Sequence, residues 1–352
     1  MASNSSGFLA LYNPYTMPSL SDNTTIWQAY CNNHSRSNIC LDYINNYYEY
    51  RIELAPNIVF LAIYSISMTC FLATYAFTRR GLVFNFALAM GCACEMAGYI
   101  GRIISWQNQW NMNGFLIQIV CLTIGPAFMA AGIYLCLRRI VEIYGIENSH
   151  VAPQWYTNFF IPCDLLALTL QAAGGAWAAI ALGDNENIDP GTNIMVGGLG
   201  VQVFTGTAFC VAGIAFIMRL RKRIRLLGPE AALNQNPADV AVRSTWYWKY
   251  FLLTLAVSAV MIVWRSSFRT AELSDGWSGP VTRYQGLFIG FEGVLISVVC
   301  VGLNIMNPSW CIGERLDGKG IKCFGGRKKA AATRERSDTK TSYSSGYPMT
   351  DV

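Results

Sequence analysis

Residues 54–80 read LAPNIVFLAIYSISMTCFLATYAFTRR. From Leu54 to Thr78 there is no charged side chain, and Arg79 and Arg80 follow at once. A helix of about 20 apolar residues crosses the hydrocarbon of a bilayer. A water-facing helix of this length would carry a charged face. The stretch therefore reads as a membrane span, Leu54–Phe77, closed by a positive charge signal.

Six further stretches have the same character: Val83–Ile104, Phe115–Leu137, Thr157–Leu182, Ile194–Met218, Tyr250–Phe268 and Gln285–Met306. The composition agrees, with 53% hydrophobic and 13% charged residues, where soluble proteins carry about 25% charged. Charge placement tests the count independently. Of the 26 Lys and Arg, 20 fall after the first, third, fifth and seventh stretches. The other side has Arg36, Arg51, Arg265, Arg269 and Arg283, and Arg102 lies within a span. Positive charge collects on the cytoplasmic side. The expected fold is an all-α integral membrane protein, a seven-transmembrane-helix bundle with its N-terminus outside and its C-terminus cytoplasmic. Met1–Ser21 has no basic residue and no apolar run, so the first span is expected to carry the N-terminus across.

Three regions are expected. Residues 1–50 form an extracellular or lumenal tail, 51–310 the membrane domain, and 311–352 a disordered basic cytoplasmic tail. Sequons begin at Asn4, Asn23 and Asn33. Cys31 and Cys40 lie in the same polar segment and are candidates for a disulfide. Lys319–Lys329, which contains Cys323, reads as a solvated topology signal, with contact to anionic lipid or palmitoylation as the sharper alternative.

Several chemistries are excluded. The only histidines are His34 and His150, both in loops, so no metal site is expected in the membrane. Gly313–Gly320 misses a phosphate-binding loop, because Gly320 stands where a Ser or Thr would bind magnesium. Cys92-Ala-Cys94 lies within a helix, where redox or zinc use is not expected. The expectation is a non-enzyme that uses no metal, cofactor, nucleotide or nucleic acid.

The polar residues inside the spans carry more information. A charge at the bilayer centre costs about 3 kcal/mol or more and usually faces protein or a water-filled cavity. Glu95 and Arg102 lie two helical turns apart on one face of the second span, with Gly98 between them. Asp164, Gln171 and Gly175 make a second stripe, and Gln202 lies in the fifth span. Arg265, Arg269 and Glu272 follow helical spacing in the sixth span, and Glu292 lies in the seventh. Together they are expected to line a polar cavity. The topology puts Arg102, Arg265, Arg269, Glu272 and Glu292 in the outer half, Glu95 near the middle and Asp164 in the inner half. The competing reading is interhelical pairs that fix packing, such as Arg102 with Glu292. Pro126 lacks an N–H and is expected to bend the third span.

At these residues the chain resembles the fungal lipid-translocating exporters, the resistance-to-aminocholesterol family. The matching pieces are Glu95-x-x-Gly98-Tyr99-x-x-Arg102, then Gln118 ahead of Gly125-Pro126-Ala127 and Ala130-Ala131-x-x-Tyr134. Asp164 with Gln171-x-x-Gly174-Gly175, Gly198 with Gln202, and Arg265-x-x-x-Arg269-x-x-Glu272 complete the order. The resemblance covers about residues 50–310. It implies movement or release of sphingoid long-chain bases or phospholipids and resistance to toxic amphiphiles; porphyrin transport is attributed to one relative. The partners it implies are membrane lipids. A sphingoid ammonium suits Glu95, Asp164 or Glu292, and a phosphorylated head suits Arg265 and Arg269.

The alternative is a seven-helix lipid sensor or receptor that signals through cytoplasmic partners. Asn307-Pro308 sits where rhodopsin-like receptors carry such a pair, but no Tyr stands three residues after Asn307. The loop Gly183–Asn193 also lacks a Cys. The plasma membrane is the preferred location.

Overall fold

A computed structural model describes residues 24–34, 40, 48, 50–149, 153–183, 186–274 and 284–310. Asn4, Asn23, Gly313–Gly320 and the Lys319–Lys329 segment lie outside them. The helices are α1 Thr24–Asn33, α2 Leu54–Thr78, α3 Leu82–Gln107, α4 Met112–Tyr144, α5 Pro153–Gly183, α6 Asp189–Ala232, α7 Pro237–Ser244 and α8 Trp246–Ser274. The last span comprises α9 Gln285–Phe288, a π-helical turn Ile289–Val294 and α10 Leu295–Ile305. Seven elements are long and apolar enough to cross a bilayer: α2 to α6, α8, and the stack from Gln285 to Trp310. They coincide with the seven stretches read from the sequence, and no strand occurs among the described residues.

The helices outrun the apolar runs. The sixth span, expected as the short Tyr250–Phe268, is the 29-residue α8. The fifth continues past Arg219 and Arg225 to Ala232, broken by Gly228 at φ 80° and ψ 161° ahead of Pro229. Hydropathy marks only the part of a helix that suits hydrocarbon, whereas the backbone ladder continues into water.

The polarity is inside-out relative to a soluble protein. Phe204, Ile180 and Ile66 are exposed, while Glu95, Arg102, Arg265 and Glu292 are at most 1% exposed. Apolar side chains facing outward match lipid, and the charges must then be accommodated within the protein.

Small residues let the helices approach. A Cβ added at Gly174 of α5 would stand 2.5 Å from the Met195 nitrogen and 2.6 Å from the Gly191 oxygen in α6. One added at Gly191 would stand 2.5 Å from the Ala178 nitrogen. The backbones interlock as small residues allow in membranes. Gly175, read as part of the polar stripe, meets only the Met195 sulfur at 3.7 Å. Gly174→Ala should therefore destabilise the bundle by about 1–3 kcal/mol. Thermal unfolding in detergent reads this, and a Gly174→Ala curve overlying the wild type would contradict the packing.

At one end of the bundle Cys31 and Cys40 form a disulfide. It is packed with Trp27, Tyr30 and Trp110, the last from the turn between α3 and α4. Asn33 is exposed at the end of α1. At the other end, Asn307 donates to Asn85 Oδ1 at 2.8 Å, and Asn85 donates to Ser309 Oγ at 2.8 Å. Asn307 Oδ1 accepts from the Ser309 N–H at 3.0 Å. Asn307-Pro308 thus ends the seventh span and ties it to α3.

Candidate functional site

Glu95 lies near the middle of α3. It is fully buried, and neither carboxylate oxygen has a hydrogen-bond partner. Its neighbour across the interface is backbone: a Cβ at Gly125 of α4 would stand 2.7 Å from Glu95 Oε1. One turn away on α3, the Tyr99 hydroxyl is also buried without a partner. Gly98 makes room for Leu122, whose side chain would lie 2.5 Å from an added Cβ.

Beside this carboxyl sits an ion pair. Arg265 of α8 pairs through Nη2 with Glu292 Oε1. The same Nη2 donates to the Leu122 carbonyl at 2.6 Å. That carbonyl is free for a sequence reason: its helical partner would be the N–H of residue 126, which is proline. Pro126 creates an orphan acceptor in hydrocarbon, and Arg265 fills it. Glu292 Oε2 and Arg265 Nε and Nη1 are buried and unpartnered. Glu292 lies inside the π-helical turn Ile289–Val294, a distortion common at functional sites. Phe60 closes on that turn, since a Cβ at Gly293 would stand 2.4 Å from its ring, and the Tyr64 hydroxyl donates to the Gly293 carbonyl at 3.3 Å.

Arg102 does not pair with Glu292, as one reading of the sequence had it. Its Nε donates to Asn57 Oδ1 at 2.8 Å and its Nη2 to the Tyr50 hydroxyl at 3.2 Å. The guanidinium lies 4.0 Å from the Phe288 ring centroid, and the Tyr48 and Tyr50 rings stand 5.7 and 6.0 Å from it. This aromatic enclosure supplies cation–π attraction in place of a counter-charge. Burial pushes the Tyr48 phenol up to about 12, against the pull of Arg102, so it stays a neutral donor to Ser105 Oγ at 3.0 Å. Arg269 pairs with Glu272 at 2.6 Å on α8.

A second group lies between α4, α5 and α6. Asp164 Oδ2 accepts from Tyr134 at 2.8 Å, and Oδ1 accepts from Thr205 at 2.8 Å. Gln171 donates to Gln202 at 3.2 Å, leaving Gln171 Oε1 and Gln202 Nε2 buried and unpartnered. Gln171 also lines a small apolar cleft with Ile119, Thr123 and Met195. Gln118 Oε1 of α4 is buried and unpartnered. Arg102, Asp164, the Gln171–Gln202 pair, the Arg265–Glu292 pair and the Arg269–Glu272 pair therefore form separate hydrogen-bonded groups, while Glu95 and the Tyr99 hydroxyl have no hydrogen-bond partner. Asp164 is satisfied within its own group, whereas Glu95 is not.

The sequence singled out neither Asn57 and Tyr50, which hold Arg102, nor Thr205, which holds Asp164. Each is an ordinary polar residue in an apolar or loop context, with no pattern of its own. Cys92 Sγ lies 3.7 Å from Cys300 Sγ, which lies 3.7 Å from the Met129 sulfur. All three are fully buried, as small polarizable core residues are.

A family profile described as RTA1 like protein matches residues 88–315, which take in every position from Glu95 to Glu292. The chain belongs to the RTA1-like family. The Saccharomyces cerevisiae sphingoid long-chain base transporter RSB1 is 28% identical over 282 residues, 75% of this chain and 73% of that protein. Protein RTA1 of the same yeast is 27% identical over 222 residues, covering 62% and 64%. Protoporphyrin uptake protein 1 is 27% identical over 216 residues, covering 61% and 65%. No solved structure matches the chain. This RTA1-like chain is thus a multi-pass membrane protein, and two of these three relatives carry names that denote transport or uptake.

Proposed function

We propose that this RTA1-like protein moves cationic long-chain amphiphiles, sphingoid bases foremost, between the leaflets of the plasma membrane. The observation that carries the reading is Glu95, a fully buried carboxyl with no hydrogen-bond partner, beside an Arg265–Glu292 pair in the middle of the bundle. A sphingoid base offers an ammonium head with several N–H donors and a hydrocarbon tail. The head supplies the donors that Glu95 lacks, and the tail stays in lipid. An arriving ammonium also competes with Arg265 for Glu292. Arg265 keeps the Leu122 carbonyl as a second partner, so it can yield the carboxylate without being left bare. The 28% identity to a sphingoid long-chain base transporter supports the same substrate class.

The orientation that suits this task puts the N-terminus outside. The supporting features are the charge asymmetry of the loops, the Cys31–Cys40 disulfide and the exposed Asn33 sequon. Arg102, Arg269 and Glu272 then lie toward the outer mouth.

Purified full-length protein in liposomes tests the reading. A fluorescently labelled sphingoid base should cross between leaflets severalfold faster than in protein-free vesicles. Saturable binding without any acceleration would instead support a sensor and contradict translocation.

A further inference from the structure

We propose that Glu95 exchanges a proton for the cationic head group, making the protein a proton–amphiphile antiporter; this inference rests on the translocation reading above. The argument begins with what can satisfy this carboxyl. A bare charge taken out of water costs several kcal/mol unless it is paired. Glu95 has no hydrogen-bond donor on either oxygen. It is therefore satisfied in two ways only, by a proton on the carboxyl or by a cation brought to it.

The neighbours do not offer a third way. From α8 the facing group is Arg265, whose Nη2 is bonded to Glu292 and the Leu122 carbonyl, and whose unpartnered Nε and Nη1 make no hydrogen bond to Glu95. The seventh span presents Glu292, which repels a second anion, and Cys300. Tyr64 faces it from α2 and Cys121 from α4. On its own helix stand Cys92, Cys94 and Tyr99. None of these donates a hydrogen bond to it.

A proton and an ammonium thus compete for one carboxyl. When the head group arrives, the proton leaves; when the head group departs, a proton returns. One positive charge moves each way, so the exchange is electroneutral. Intramembrane carboxyls that alternate between a proton and another cation are the working parts of coupled transport. One unit of pH difference then supports about tenfold accumulation of the amphiphile.

The test uses a permanently charged probe, so that the probe cannot carry its own proton. Full-length protein is reconstituted with a pH-sensitive dye trapped inside, and a labelled single-chain trimethylammonium amphiphile is added outside. As the probe enters, the interior should become alkaline at a matching rate. Clamping the membrane potential should leave that rate unchanged. Glu95→Gln should lower the proton counterflow at least tenfold, and Glu95→Asp should retain both movements. The wild-type measurement is decisive even if a variant folds poorly. Probe entry at a constant internal pH would overturn the coupling and leave translocation standing. Probe entry no faster than in protein-free vesicles would overturn the exchange, because a cation without N–H donors then does not displace the proton; whether a labelled sphingoid base still crosses faster in the same liposomes decides translocation separately.

Discussion

Glu95→Gln lowers sphingoid-base translocation at least tenfold while leaving the fold unchanged. The two side chains have nearly the same volume, so the contact with Gly125 survives. The native carboxyl makes no hydrogen bond, so folding loses none by the exchange. Gln is neutral, so no uncompensated charge is created in the bundle, and the change in stability should stay within about 1 kcal/mol. The ammonium, in contrast, loses its charged partner. Hydrogen bonds to charged groups contribute about 1.5–3 kcal/mol, and 1.4 kcal/mol is a factor of ten. Flip rates and thermal unfolding, measured on one preparation, separate the two effects. A variant that flips at the wild-type rate removes Glu95 from the site; one that fails to fold makes it a packing residue.

The second large effect is on stability. Arg265→Met should cost about 3–5 kcal/mol, because it leaves Glu292 as an uncompensated buried charge. Against a total of roughly 5–15 kcal/mol, that is enough to deplete folded protein. Two partner substitutions should each recover part of the loss. Glu292→Gln removes the bare charge. Pro126→Ala supplies the N–H that the Leu122 carbonyl otherwise takes from Arg265. In the Arg265→Met background Pro126→Ala should therefore stabilise more than it does in the wild type, a coupling a double-mutant cycle measures. Equal effects in both backgrounds would mean that Arg265 does not serve the orphan carbonyl.

The spans were legible in the sequence because a bilayer imposes length and apolarity on each crossing, and loop charge checks the count at every turn. Their true ends were not legible, since Arg138, Arg139 and the Arg219–Arg225 run lie in continuing helix. The buried charges could also be found, because few things explain a carboxylate in an apolar run. Their partners could not. Helical spacing fixes which residues share a face, but not which neighbouring helix that face meets. Arg102 accordingly pairs with Asn57 and Tyr50, and Arg265 takes Glu292. Pro126 shows the same limit. The proline tells that the carbonyl four residues earlier is orphaned, but only the packing of α8 on α4 tells who answers it.

The placement of the amphiphile at Glu95 is tested most directly by covalent mapping. A photoactivatable long-chain amine, incubated with the purified protein in lipid and cross-linked by light, should label peptides of α3 and α4 around Glu95 and Gly125. That labelling should fall with excess unlabelled sphingoid base and disappear in Glu95→Gln. Labelling confined to the lipid-facing side chains, unaffected by competitor and equal in the variant, would contradict the account.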